Sequence, residues 1–248
     1  MQTHNRLFNR KRVTLMGALL MSLLPVVVLA EDDCTHQKRV EFSLPADAVQ
    51  TLDISAGAGS LRVYSTPTVK EFIVSARLCT RRERNLEEMG VDHMVQGDVL
   101  HLWTKIPRTR SSFWTGDSES IDLEVQIPEG MAARITDGSG RAFISGTGDL
   151  EVVDGSGELE ITDIAGNVRV DDGSGGLTIE DVRSNVSVDD GSGEINIARV
   201  GGSVTLRDGS GSINVHEVQQ EVTILEDGSG SVNVDREMRY TSAAANLE

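Results

Sequence analysis

The chain has 248 residues, with 39 acidic against 23 basic side chains, a formal net charge of −16 and 4% aromatics. A charge of that size repels nucleic-acid phosphates and anionic lipid headgroups, so binding either through a basic face is excluded for the molecule as a whole. Hydrophobic residues make up 38% of the chain and recur regularly, which excludes disorder throughout and implies many short apolar stretches in place of one aromatic-rich core.

The first thirty residues stand apart. Arg6, Arg10, Lys11 and Arg12 make a basic start, residues 13–29 carry no charge, and Val28-Leu29-Ala30 closes the run with small side chains before the acidic Glu31-Asp32-Asp33. This pattern predicts a secretory signal peptide over residues 1–30, and so an exported protein of the periplasm or cell surface. The competing reading is a retained membrane anchor, since the run is about long enough to span. No second apolar run of that length occurs later in the chain, so no integral span is expected after cleavage. Asp32 and Asp33 before Cys34 disfavour lipoprotein processing. Cys34 and Cys79 are the only cysteines, and an even count in an oxidising compartment predicts one structural disulfide between them. Closing that loop stabilises by about 4 kcal/mol in the chain-entropy model.

Residues 31–130 form an irregular β region. Alternating apolar residues predict short strands over 39–44, 52–55, 61–64, 72–78, 92–95, 99–104 and 121–127. Ala56-Gly57-Ala58-Gly59-Ser60 resembles a degenerate form of the Gly-Ser-Gly turn that recurs from residue 138 onward, so this region is expected to be continuous with the repeats there. Residues 81–89 are the one helical candidate, charged at most positions and expected to be solvated. His93 and His101 flank Gly97 symmetrically, so a hairpin turning there makes them neighbours on one face. Two ligands do not make a metal site, and exposed strand histidines are the expectation. Arg108, Arg110, Phe113 and Trp114 lie in a basic, aromatic segment of an otherwise acidic chain, with the composition of a loop. Arginine beside tryptophan suits contact with a glycan or an anionic polymer; the alternative is that the two rings cover the end of the core.

Residues 131–235 carry a repeat. Asp-Gly-Ser-Gly occurs six times, beginning at Asp137, Asp154, Asp172, Asp190, Asp208 and Asp227, at intervals of 17, 18, 18, 18 and 19 residues. After each copy the apolar positions align into columns. The first column is Ala142, Leu159, Leu177, Ile195, Ile213 and Val232; the second is Ile144, Ile161, Ile179, Ile197, Val215 and Val234. A third is Ile164, Val182, Val200 and Val218, and a closing pair runs from Leu150 and Val152 to Val222 and Ile224. Period-two alternation, β-branched enrichment and glycine punctuation specify short strands. A unit of about 18 residues with two such strands cannot bury its apolar face alone, but stacking units at the ~4.8 Å strand spacing aligns each column into a ladder. The predicted fold is all-β: a single-chain β-solenoid whose six coils span about 29 Å.

The Asp-Gly-Ser-Gly corner has a structural account. Glycine permits positive φ at the sharp turn, serine is small, and the aspartate accepts hydrogen bonds from backbone amides ahead of it. The functional alternative is a ladder of six carboxylates, with Asp171 and Asp189 beside it, that weakly collects divalent cations at the surface. In the calcium-binding nonapeptide repeat an aspartate stands two places after the last glycine. Here that place holds Leu159, Leu177 or Ile195, so no dedicated metal site is expected. Outward columns are polar: Asn196, Asn214 and Asn233 on one face, Arg169, Ser187, Thr205 and Thr223 on another. Residues 236–248 are a charged cap and tail, which protects the last coil from edge-to-edge association.

From Ile121-Asp122-Leu123-Glu124-Val125-Gln126-Ile127-Pro128-Glu129-Gly130 into the repeats, the chain resembles the bacterial putative adhesin family of β-solenoid domains, over about residues 40–235. The shared order is a leading β region, a strand ending in an apolar-Pro-x-Gly step, and successive Ser-Gly corners. The resemblance implies an envelope or surface protein without known catalytic residues. The repeated serine does not sit in a Gly-x-Ser-x-Gly elbow and no histidine recurs with the coils. The expected function is therefore a non-enzymatic, adhesin-like interaction module without cofactor, whose partner is an envelope protein or glycan. The alternatives are a polysaccharide-active enzyme using an acidic face, or a calcium-stabilised structural protein.

Overall fold

The computed structural model describes residues 34–107, 119–235 and the backbone of 239–242. Before the repeats, the chain forms β1 (His36–Pro45), β2 (Thr51–Ser55), β3 (Leu61–Ser65), β4 (Glu71–Thr80), α1 (Glu83–Glu88), β5 (Gly90–Gln96), β6 (Val99–Lys105) and β7 (Ser120–Ile127). The repeats supply β8 (Ala132–Asp137), β9 (Gly140–Ser145), β10 (Leu150–Asp154), β11 (Gly157–Ile164), β12 (Val168–Asp172), β13 (Gly175–Val182), β14 (Val186–Asp190) and β15 (Gly193–Val200). They continue through β16 (Val204–Asp208), β17 (Gly211–Val218), β18 (Glu221–Asp227) and β19 (Gly230–Val234) to β20 (Arg239–Ser242).

From β8 onward the strands alternate between two sheets, even-numbered in one and odd-numbered in the other, and each pairs in parallel with its equivalent one winding away. The fold is a β-solenoid. Leu150, Val168, Val186, Val204 and Val222 are successive register partners, and so are Leu159, Leu177, Ile195 and Ile213. All of these lie in the aliphatic core between the sheets. Each such side chain gains about 1.5–3 kcal/mol on burial, and that gain requires the winding above and below.

The uneven intervals have local causes. Four residues join Ser145 to Leu150, where five join Thr162 to Val168, which shortens the first interval by one. The last interval is long because the register shifts between Leu206 and Arg207, leaving Leu225 as an extra, exposed residue in a β-bulge. Corner glycines make the pitch possible. Gly157 has φ +143°, and a Cβ there would collide with the carbonyl oxygen of Gly140 in the winding below.

The first half stacks out of chain order. β2 lies between β8 and β6, and β3 between β9 and β7, so the winding made by β2 and β3 is inserted between that of β6 and β7 and that of β8 and β9. Gly59 in its corner has φ +126°, just below the +132° to +156° of the later corner glycines. The end is closed by antiparallel pairing of β4 with β7, β1 with β4, and β5 with β6. Phe42 of β1 stacks on His93 of β5, with ring centroids 5.1 Å apart. A disulfide joins Cys34 to Cys79, tying the start of the described chain to β4.

Two local expectations need correction. α1 is not solvated all round: Asn85 and Met89 are buried, and Asn85 Nδ2 donates to Glu119 Oε1 at 2.6 Å. The hairpin of β5 and β6 turns between Gln96 and Val99, so His93 pairs with Leu102 and His101 with Met94. A one-residue offset puts the two histidines on opposite faces. His93 is exposed and stacks on Phe42 on one face, and half-buried His101 has its Nδ1 3.4 Å from Asp53 on the other.

Candidate functional site

The corner aspartates occupy the last position of each even-numbered strand from β8 to β18. Alternation along β10 points Leu150, Val152 and Asp154 to one side, and that side is the interior. Asp137, Asp154, Asp172, Asp190 and Asp208 are consequently buried, with relative exposures of 1–4%, and each is the register partner of the next. Asp227, above the bulge, is half-buried. The five are thus interior groups, not the surface ladder that would collect cations from solvent. Part of the Asx-turn expectation is realised, for Ser210 N donates to Asp208 Oδ1 at 3.1 Å. Burial pushes Asp137, Asp154 and Asp172 up to about 6 and Asp190 to about 7; for the last three, the negative charge of a neighbour in the file adds to it. Asp208 is raised as well, again by burial first.

The outer faces carry polar columns in register. Arg169, Ser187, Thr205 and Thr223 succeed one another along the even-numbered sheet. On the odd-numbered sheet, Asn196, Asn214 and Asn233 are aligned, and Asn214 Nδ2 donates to Asn196 Oδ1 at 3.0 Å. A further ladder has no counterpart among the sequence expectations. Asp149 Oδ1 accepts from the backbone N–H and Nδ2 of Asn167 at 2.8 and 3.1 Å, and Asn167 Oδ1 accepts likewise from Asn185 at 3.3 and 3.1 Å. Asn185 Oδ1 then accepts from the backbone of Ser203 at 2.9 Å. Each amide side chain caps the start of the next winding's strand. The alignable signal is Asp149, Asn167, Asn185 and Ser203 at intervals of 18 residues.

An arginine–aromatic cluster lies on the outer face of the odd-numbered sheet, toward its first-half end. The Arg62 guanidinium of β3 sits 5.1 Å from the ring centroids of both Tyr64 and Phe143. Phe143, on β9, is brought beside Arg62 by the out-of-order stacking of β3. Tyr64 is fixed by hydrogen bonds: its hydroxyl donates to Glu124 Oε1 at 2.9 Å and accepts from Gln126 Nε2 at 2.6 Å. Arg77 pairs with Asp122 at 3.0 Å in the depression beside the cluster, which Arg39, Ser60 and Ser75 also line. A cation held by two rings beside further guanidinium groups suits a polar, anionic or sugar-like ligand. Sequence separation hides this cluster, since Tyr64 and Phe143 belong to strands far apart in the chain.

Arg108, Arg110, Phe113 and Trp114 lie outside the described residues. The segment that contains them leaves β6 and enters β7, where Gly57 N donates to Thr104 Oγ1 and Ile121 N to the Ala58 carbonyl. No helix among the described residues is long and apolar enough to cross a membrane.

Residues 34–248 match the Toastrack DUF4097 family. Among solved structures, a putative cell adhesion protein from Clostridium sporogenes is 13% identical, with a TM-score of 0.38, over 83% of this chain and 100% of that one. A putative adhesin from Parabacteroides merdae is 11% identical, with a TM-score of 0.30, over 83% and 95%. No curated protein matches the chain.

Proposed function

The chain belongs to the Toastrack family, and on that premise we propose that it is an exported, non-enzymatic interaction module of the cell envelope or surface, whose partner is an envelope glycan or protein. One observation carries this reading. Outward side chains repeat in register from winding to winding, so the sheets present periodic polar faces, and one face bears the cluster of Arg62, Tyr64 and Phe143. Such a face engages a partner that is itself extended, and arginine and aromatic residues dominate binding energy at interfaces of this kind. The signal-peptide pattern of residues 1–30 and the disulfide support export. Arg108, Arg110, Phe113 and Trp114 extend the binding surface in the proposal.

The experiment is a screen of the protein against glycans and isolated envelope fractions, with and without calcium, using two surface variants. An Arg62→Ala/Phe143→Ala double variant and a Trp114→Ala variant are each expected to bind at least about tenfold more weakly, equivalent to about 1.4 kcal/mol, at unchanged melting temperature. Binding unaffected by either variant would overturn the reading, and so would turnover of any glycan.

A further inference from the structure

The buried aspartates take no part in that surface, yet they are the most unusual groups in the interior. Asp137, Asp154, Asp172, Asp190 and Asp208 stand in single file along the winding axis, each beside the next. Every one keeps at least one buried carboxylate oxygen without a hydrogen-bond partner. No lysine, arginine or histidine is buried among the described residues. The strands that face the file, β9, β11, β13, β15 and β17, turn only aliphatic side chains inward, such as Ile161, Ile179 and Ile197. On its own sheet the neighbouring Asp171, Asp189 and Arg207 point outward. At its lower end the backbone partner of the file is Ala56, which does not titrate, and at its upper end stands half-buried Asp227. Five ionised carboxylates in this position would be desolvated and mutually repelling with no counter-charge.

We propose that the file is a proton-binding column. A carboxyl O–H of one winding donates to a carboxylate oxygen of the next, so protons supply the hydrogen bonds that the unpartnered oxygens lack, and the solenoid is tightened by mild acid and loosened as the column ionises. A divalent cation fits the file less well. It needs several converging oxygens, and no three acidic, histidine or cysteine side chains converge on a metal position among the described residues. The raised folded-state values, about 6 for Asp137, Asp154 and Asp172 and about 7 for Asp190, agree with retained protons.

The pH dependence has a definite sign. An unfolded aspartate releases its proton near 3.9, so between about pH 4 and 7 the native state holds more protons than the unfolded chain. The stabilisation is complete below the unfolded value and is lost as pH rises through the folded one, the reverse of ordinary acid unfolding. For one group raised by about two units, the folding equilibrium constant falls about a hundredfold across that window.

The test is thermal unfolding of the protein between about pH 5 and 8, in chelator and in calcium, for wild type, Asp172→Asn and Asp190→Asn. Wild type should lose melting temperature steadily as pH rises, with the same profile in calcium. Each Asn variant should show a shallower profile and melt higher than wild type at the alkaline end. Infrared spectroscopy of the wild type gives an independent readout should a variant fail to fold: the carbonyl band of protonated carboxyl groups should persist at about pH 6 and fade by about pH 8. A flat or rising melting profile, or absence of that band at about pH 6, would overturn the proposal. A calcium-dependent rise in melting temperature that the Asn variants abolish would replace the protons with a metal.

Discussion

Gly157, Gly175, Gly193 and Gly211 sit at one point of four successive windings, with φ between +143° and +156°. A Cβ on each would strike the carbonyl oxygen of the equivalent glycine one winding below. Both causes act together there: the left-handed backbone is costly for an L side chain, and the neighbour in the way is backbone, which cannot turn aside. A second corner has the same sign of φ without the backbone collision, although a Cβ on its Gly146 would meet the Ser65 side chain. Gly146 fills that column in the first winding, but Asp163, Asp181, Arg199 and Glu217 occupy it in the next four, at +53° to +57°. Those side chains reach solvent, so each winding bears only the backbone cost of about 1–2 kcal/mol. Arg199 offsets part of it by pairing with Glu180 and Asp181 at 2.7 and 2.8 Å, although exposed pairs of this kind contribute at most about 1 kcal/mol. Gly175→Ala is therefore expected to destabilise the protein by more than about 2 kcal/mol in denaturant unfolding, because it adds a backbone collision to the strain. Unchanged stability would mean the windings are not packed this closely.

At the scale of the strand and its connections, the ladder of Asp149, Asn167, Asn185 and Ser203 sets where each even-numbered strand begins. Asn185→Ala removes one side-chain bond to Asn167 and the acceptor for Ser203. Exposed hydrogen bonds are worth about 0.5–1.5 kcal/mol each, so a loss of about 1–2 kcal/mol by denaturant titration is expected. The windings themselves are legible from the period, because a residue column such as Leu159, Leu177, Ile195 and Ile213 is visible wherever turns recur at a nearly fixed interval. The orientation of the corner aspartates is not. Grouped with Gly-Ser-Gly they read as turn residues, whereas the parity of Leu150, Val152 and Asp154 assigns them to the strand and to the interior. The histidine pairing fails for a similar reason, since the turn is centred between Gly97 and Asp98 and not on Gly97. The cluster of Arg62, Tyr64 and Phe143 has no local signal at all, because it depends on which strand lies beside β3.

For the molecule as a whole, the decisive feature is the insertion of the β2–β3 winding between two windings that come later in the chain. It places Leu52, Ile54, Leu61 and Val63 in the same core as the regular repeats, and it brings β3 against β9 to create the arginine–aromatic face. Repeat proteins gain stability from nearest-neighbour interfaces, so a winding with neighbours on both sides opens less readily than one at an end. The edge strands β1 and β5 have a sheet partner on one side only. Hydrogen exchange of the native protein, monitored by mass spectrometry of its peptides, tests this arrangement most directly. Residues 51–65 should exchange as slowly as residues 132–145, and both more slowly than β1 and β5, despite their distance in the chain. Exchange of residues 51–65 at the rate of the edge strands, independent of the repeats, would contradict the stacking and remove the face on which the proposed binding depends.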